Sequence, residues 1–152
     1  MHAMDVFQNL RESLAALDRA TDWLERSIEQ CHAIDLQAVL QPDECDALEA
    51  LTSRYARVSD MLVQKVYRAI DSVELEEGGS PLDVLNRAHK RDLIESVDDM
   101  REIREVRNEV AHEYAVEDLT GLFTDVLRLA PQLLTLRDRV MQYCDKYHCP
   151  QP

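Results

Sequence analysis

Residues 43–73 read DECDALEALTSRYARVSDMLVQKVYRAIDSV, and this stretch decides the fold. Leu48, Leu51, Tyr55, Val58, Leu62, Val66, Ile70 and Val73 recur every three or four positions, the period of one helix face. No Gly or Pro interrupts them, so the stretch predicts one long helix. Pro42-Asp43 closes the loop before it, with Asp43 as the expected N-cap. Glu76-Glu77-Gly78-Gly79-Ser80-Pro81 ends it.

The same period extends outward in both directions. Upstream, Leu10, Leu14, Leu17, Leu24 and Ile28 mark a first helix of about eight turns. Downstream, Ser80 caps a short helix, with Pro81 at its first position and Asp83 three residues after the cap. Ser96 with Asp99 opens another helix, expected to run to about residue 113. A last helix is expected from about Glu117, read from Leu119, Leu122, Phe123, Val126, Leu133, Val140 and Tyr143 and kinked at Pro131. The expected fold is all-α: an antiparallel, up-and-down four-helix bundle with one short extra helix, forming a single domain over residues 1–152. Trp23, Tyr55 and Tyr67 are read as packing residues.

Composition agrees with that class. With 45% hydrophobic and 31% charged residues, the chain reads as soluble and globular. Only 3 Gly and 5 Pro occur, too few for a sheet protein with many tight turns. No stretch approaches the roughly 20 apolar residues of a membrane span. Met1-His2-Ala3-Met4-Asp5 opens no positively charged leader, so a cytoplasmic protein is expected. Of four cysteines, Cys144-x3-His148-Cys149 matches no closed zinc pattern, and Cys31 and Cys45 stand apart from it. Buried or tail thiols are the expectation, with no metal and no cofactor.

The net charge of −13 argues against broad binding to a polyanion, because counterion release needs many cationic contacts. Charge is uneven along the chain. Residues 1–53 are strongly acidic, whereas residues 54–68 carry Arg54, Arg57, Lys65 and Arg68 against Asp60 alone. These four cations are read first as ordinary solvated helix positions, and only second as the extension of an anion-facing surface. Any anion site is therefore local, on an otherwise acidic body.

Chemistry concentrates in residues 101–114, Arg-Glu-Ile-Arg-Glu-Val-Arg-Asn-Glu-Val-Ala-His-Glu-Tyr. At about 100° per residue, Ile103, Val106 and Val110 share one side, and Arg107 falls close to it. An Arg at a core edge needs a partner, since an unpaired charge there is costly. Arg104, Asn108 and His112 step by four along a neighbouring polar stripe. On spacing alone such a helix reads first as a solvated face held by weak ion pairs.

Arg107-Asn108-x-x-Ala111-His112-x-Tyr114 resembles the signature of the HEPN superfamily, an Arg followed after four to six residues by His. More narrowly, Arg-x4-His-x-Tyr is similar to the HepT toxins encoded beside minimal nucleotidyltransferases. Ser53 to Asp60 with Gln64-Lys65-Val66 looks like that family's second helix, and Leu82 to Ala88 like its short connecting helix. The resemblance implies a HEPN-like domain and a homodimer whose two motif copies face one another across a cleft. It implies metal-independent cleavage of RNA, either tRNA or mRNA, with no DNA and no membrane as partner. Two His112 imidazoles would share base and acid duties, a chemistry suited to a group that titrates near 6.5 when unperturbed. Arg107 would hold the phosphate and supply charge, and Asn108 would orient the ring or the phosphate. Tyr114, on its own a packing residue, would be the acceptor of AMP from a cognate nucleotidyltransferase antitoxin. The nucleotide's charge and bulk beside His112 would then block RNA.

Two other readings stand beside this one. One is a non-catalytic adaptor, a substrate-binding subunit of a nucleotidyltransferase, which the acidity of the chain favours. A plain helical interaction protein is the third. The chain does not read as the nucleotidyltransferase itself, because Gly79-Ser80 is followed by Asp92-Leu93-Ile94-Glu95 and not by an Asp-x-Asp pair.

Overall fold

A computed structural model of the chain describes residues 3–112 and 119–147. Every regular element among them is helical. Helix α1 is Ala3–Cys31, α2 is Pro42–Met61, α3 is Tyr67–Val73, α4 is Pro81–Lys90, α5 is Val97–Val110 and α6 is Leu119–Cys144. A short 3-10 turn, Asp145–Tyr147, follows α6. No helix among the described residues is long and apolar enough to cross a membrane.

The long helix expected over residues 43–73 is present, with one change of pitch. A π turn, Leu62–Val66, joins α2 to α3, and Met61, Leu62, Val66 and Tyr67 all keep right-handed helical backbone angles. The apolar stripe explains the turn. Val58, Leu62, Val66 and Ile70 are three successive steps of four, and each drifts about 40° on a helix of 100° per residue. One wide turn absorbs the extra residue. It keeps Leu62, Val63, Val66 and Tyr67 buried together while Gln64 and Lys65 stay exposed.

Local signals set the helix ends. Ser80 accepts from the Asp83 amide at 3.2 Å and donates its own amide to the Asp83 carboxylate at 2.8 Å, a complete capping box. Gly79 sits before it at φ +90°, and a Cβ there would meet Asp83 Oδ2 at 2.6 Å, so only glycine fits. Ser96 accepts from the Asp99 amide at 3.0 Å, as expected. Two boundaries differ from expectation. The N-cap of α2 is Gln41, not Asp43, because Pro42 takes the first helical position and Glu44 reaches back to the Gln41 amide at 2.9 Å. Helix α5 stops at Val110, where Ala111 and His112 close the end by bonding back to Asn108 and Glu109. Pro131 does not divide α6, since Leu129, Ala130 and Leu133 around it are buried and hold the helix in place. Glu117 lies outside the described residues.

Helix α1 packs on α2, α3 and α6, and α2 also contacts α5 and α6. One apolar cluster runs through all six helices. The Tyr55 hydroxyl donates to the Ile103 carbonyl at 2.8 Å, fixing α5 against α2. Tyr55 and Tyr67 are both buried, as expected. Tyr67 differs in that its hydroxyl has no hydrogen-bond partner among the described residues. An unsatisfied buried hydroxyl costs about 1–3 kcal/mol. Tyr67→Phe is therefore expected to raise the urea midpoint, by about 1 kcal/mol of stability at an unchanged slope. A lower midpoint would mean that the hydroxyl is satisfied.

The thiols Cys31 and Cys144 are buried and Cys45 is half-buried; all three are free, and Cys149 lies outside the described residues. Burial pushes Cys144 up to about 11, which leaves it a neutral, packing thiol at physiological pH.

Candidate functional site

The candidate residues gather at the C-terminal end of α5, where it lies against α2. Tyr55 holds the helix from below, and the partner that Arg107 requires comes from the facing helix. Arg107 Nε donates to Asp60 Oδ1 at 2.8 Å and Arg107 Nη2 to Asp60 Oδ2 at 2.9 Å, a two-pronged ion pair. Arg104 joins the same carboxylate, donating through Nη1 to Asp60 Oδ1 at 2.7 Å and to Ser59 Oγ at 3.0 Å. One carboxylate thus gathers two guanidinium groups, which leaves a local excess of positive charge.

Burial alone would push the Asp60 carboxyl upward. Hydrogen bonds from Arg107 and Arg104 outweigh it and hold Asp60 below the ordinary carboxylate range. In return the Asp60 hydrogen bonds raise Arg107 above its ordinary value. The guanidinium is permanently charged, and its edge turned from Asp60 still has donors to offer. Its side chain is about a quarter exposed, at 26%.

Asn108 opens on a different side. It lines a groove of about 360 Å³ with Arg104, Arg101, Arg68, Gln64 and one acid, Glu105, and Leu82 and Leu85 of α4 contribute apolar surface to it. Arg104 is the residue shared by the Asp60 cluster and the groove. His112 is exposed, one turn beyond Asn108 and just past the end of α5. Tyr114 lies outside the described residues. So Arg107 faces α2, Asn108 faces the groove, and His112 follows one turn later, past the helix end. No group of three or more metal-ligating side chains occurs among the described residues.

The chain matches no family model, no curated protein and no solved structure. Function has to be argued from the side chains themselves.

Sequence reasoning missed Asp60, Ser59 and Arg104 as parts of this cluster. A signal was present for two of them, and none for Ser59. Asp60 is the one acid among the cations of residues 54–68, and Arg104 stands one turn before Asn108.

The Asp60 cluster carries a pH prediction. A carboxylate held below its unfolded value adds stability above that value, about 3.9 for Asp, and loses it as pH falls through the folded value. Stability is expected to hold above about pH 5 and decline below about pH 4. In urea titrations from neutral pH down to pH 3, Asp60→Asn should lose stability less steeply with acid than the parent. Equal slopes would show that Asp60 is not held by the arginines in solution.

Proposed function

We infer that the protein is a HEPN-like, metal-independent endoribonuclease built on an antiparallel helical bundle and acting as a homodimer in the cytoplasm. One observation carries the reading: Arg107, Asn108 and His112 lie at a single helix end, where Asp60 draws the Arg107 guanidinium together with that of Arg104. Cleavage by the RNA's own 2′-hydroxyl needs a base, an acid and positive charge on the phosphorane. A His112 pair would divide the first two duties, and Arg107 with Arg104 would supply the third. Asn108 would orient the phosphate from the groove side. Tyr114 would take AMP from a nucleotidyltransferase antitoxin, which switches the site off by charge and bulk.

The purified chain, incubated with tRNA or mRNA in excess EDTA, is expected to cut the RNA. Intact RNA at every dimer concentration would reject the nuclease. Mass spectrometry after co-expression with a nucleotidyltransferase tests Tyr114: AMP on Tyr114 supports the assignment, and AMP only elsewhere rejects it.

A second reading is favoured by one specific observation. The Asp60-facing edge of Arg107 is occupied by a carboxylate, so an incoming phosphate must use the other edge or displace Asp60. That suits an adaptor in which Arg107 is structural and the chain binds a nucleotidyltransferase without cutting RNA. Growth arrest on expression, relieved by His112→Ala, separates the two.

A further inference from the structure

The one tryptophan of the chain is in an unusual place. Trp23 is 53% exposed on α1, although the expectation was a packing residue. Small residues explain why it is left outside. Ala20 and Ser27, on the same stretch of α1, are buried where α1 meets α2, and Leu17 and Leu24 fill the core. The ring therefore flanks the seam instead of entering it.

Cations surround it. The guanidinium of Arg54, from α2, lies over the Trp23 ring at 4.9 Å from its centroid, and that of the exposed Arg26 lies over it at 5.6 Å. Arg54 is also pinned: its Nη1 donates to Ser27 Oγ at 2.6 Å and to the Trp23 carbonyl at 3.3 Å. Ala20, Trp23, Arg54 and Arg57 line a groove of about 220 Å³, with no acid among them. On a chain of net charge −13, an exposed indole beside clustered arginines and no lining carboxylate is the opposite of the average surface.

We propose that Trp23, Arg54 and Arg57 form a binding site for an unpaired nucleotide of single-stranded RNA, the base stacking on the indole in place of the exposed Arg26 and the neighbouring phosphates meeting the arginines. Stacking on an aromatic plane with flanking cations is the chemistry by which single strands are held without sequence readout. An acidic peptide would satisfy the arginines, whereas a nucleotide satisfies them and also sets an extended flat ring against the indole. Pinning Arg54 in advance removes part of the ordering cost of binding. The site also has a direction. Arg57 and Asp60 are three residues apart on α2, neighbours on adjacent turns about 4.5 Å along the axis. A strand stacked at Trp23 would lead toward the Arg104–Arg107 pair. The choice of RNA over another flat anion rests on the function proposed above; the geometry of the groove does not.

Trp23 is its own reporter, because no other indole contributes to the fluorescence. The full chain carrying His112→Ala is titrated with short oligoadenylate, so that no cleavage intervenes. Saturable quenching is expected, weakening with salt at a log–log slope of roughly −1.4, the value for about two neutralised phosphates on a single strand. With a labelled oligonucleotide read by anisotropy, Trp23→Leu should weaken binding by roughly 5- to 100-fold. Arg57→Glu should weaken it by about tenfold or more and flatten the salt slope. Circular dichroism checks that both variants fold. Quenching by polyglutamate but not by oligoadenylate would overturn the proposal in favour of an acidic protein partner. Quenching by neither, or unchanged affinity in both variants, would overturn it outright. Quenching by oligoadenylate with an inactive parent chain would reject the nuclease and keep this site, whereas cleavage without quenching would do the reverse.

Discussion

Asp71→Ala is expected to destabilise the fold by about 3–5 kcal/mol. Asp71 is only 2% exposed and holds two arginines of the α4 region, Arg87 at 2.9 Å and Arg91 at 2.5 Å. Arg91 also reaches Glu74 at 2.8 Å, and Glu74 in turn accepts from Tyr143 at 2.6 Å and Tyr147 at 2.5 Å. This network ties α3 to α4, to α6 and to the turn beyond it. Removing Asp71 leaves a nearly buried guanidinium with only part of its compensation, which is the costly way to break an ion pair. Against a total stability of about 5–15 kcal/mol, the loss is a large share of what keeps the chain folded. Urea unfolding followed by circular dichroism measures it. A loss under about 1 kcal/mol would show that water replaces Asp71 freely. Arg87→Ala should cost less, since Asp71 keeps Arg91. The same network adds to the acid sensitivity. Burial pushes Glu74 up, but hydrogen bonds from Tyr143, Tyr147 and Arg91 outweigh it and hold the carboxyl below its ordinary range.

The second large effect is on activity. His112→Ala is expected to lower metal-independent RNA cleavage by about 10²- to 10⁴-fold, the size of a lost general acid–base group. His112 is exposed and past the end of α5, so circular dichroism should show the substituted chain still folded. Rate and stability thus separate. Arg107→Lys makes the complementary case. It keeps the charge but loses the fork that grips both oxygens of Asp60, so both cleavage and stability should fall. Cleavage by His112→Ala at the parental rate would end the nuclease reading. Parental cleavage by Arg107→Lys with a weakened fold would leave Arg107 a structural residue and pass the phosphate to Arg104.

The existence and order of the helices were legible because helix formation is a short-range matter. Ser80 with Asp83 and Ser96 with Asp99 close their caps within three residues, and the caps stand where the sequence puts them. Even the π turn left a trace, in the three consecutive steps of four from Val58 to Ile70. The cap of α2 was misread by two residues because Pro42 and Asp43 both suit a helix start, and only the reach of Glu44 to the Gln41 amide separates them.

What the chain determined by itself is the set of helices, their polar and apolar faces, and the need of Arg107 for an anion at the core edge. What only the tertiary structure decided is which anion and which neighbours. Asp60 lies 47 residues from Arg107, and Arg54 lies 31 from the Trp23 carbonyl it binds. Such contacts depend on how α1, α2 and α5 settle on one another, and periodicity along one helix carries no information about its angle against the next. The exposure of Trp23 belongs to the same class: a large apolar side chain normally goes inside, and the close meeting of α1 and α2 over Ala20 and Ser27 left it outside.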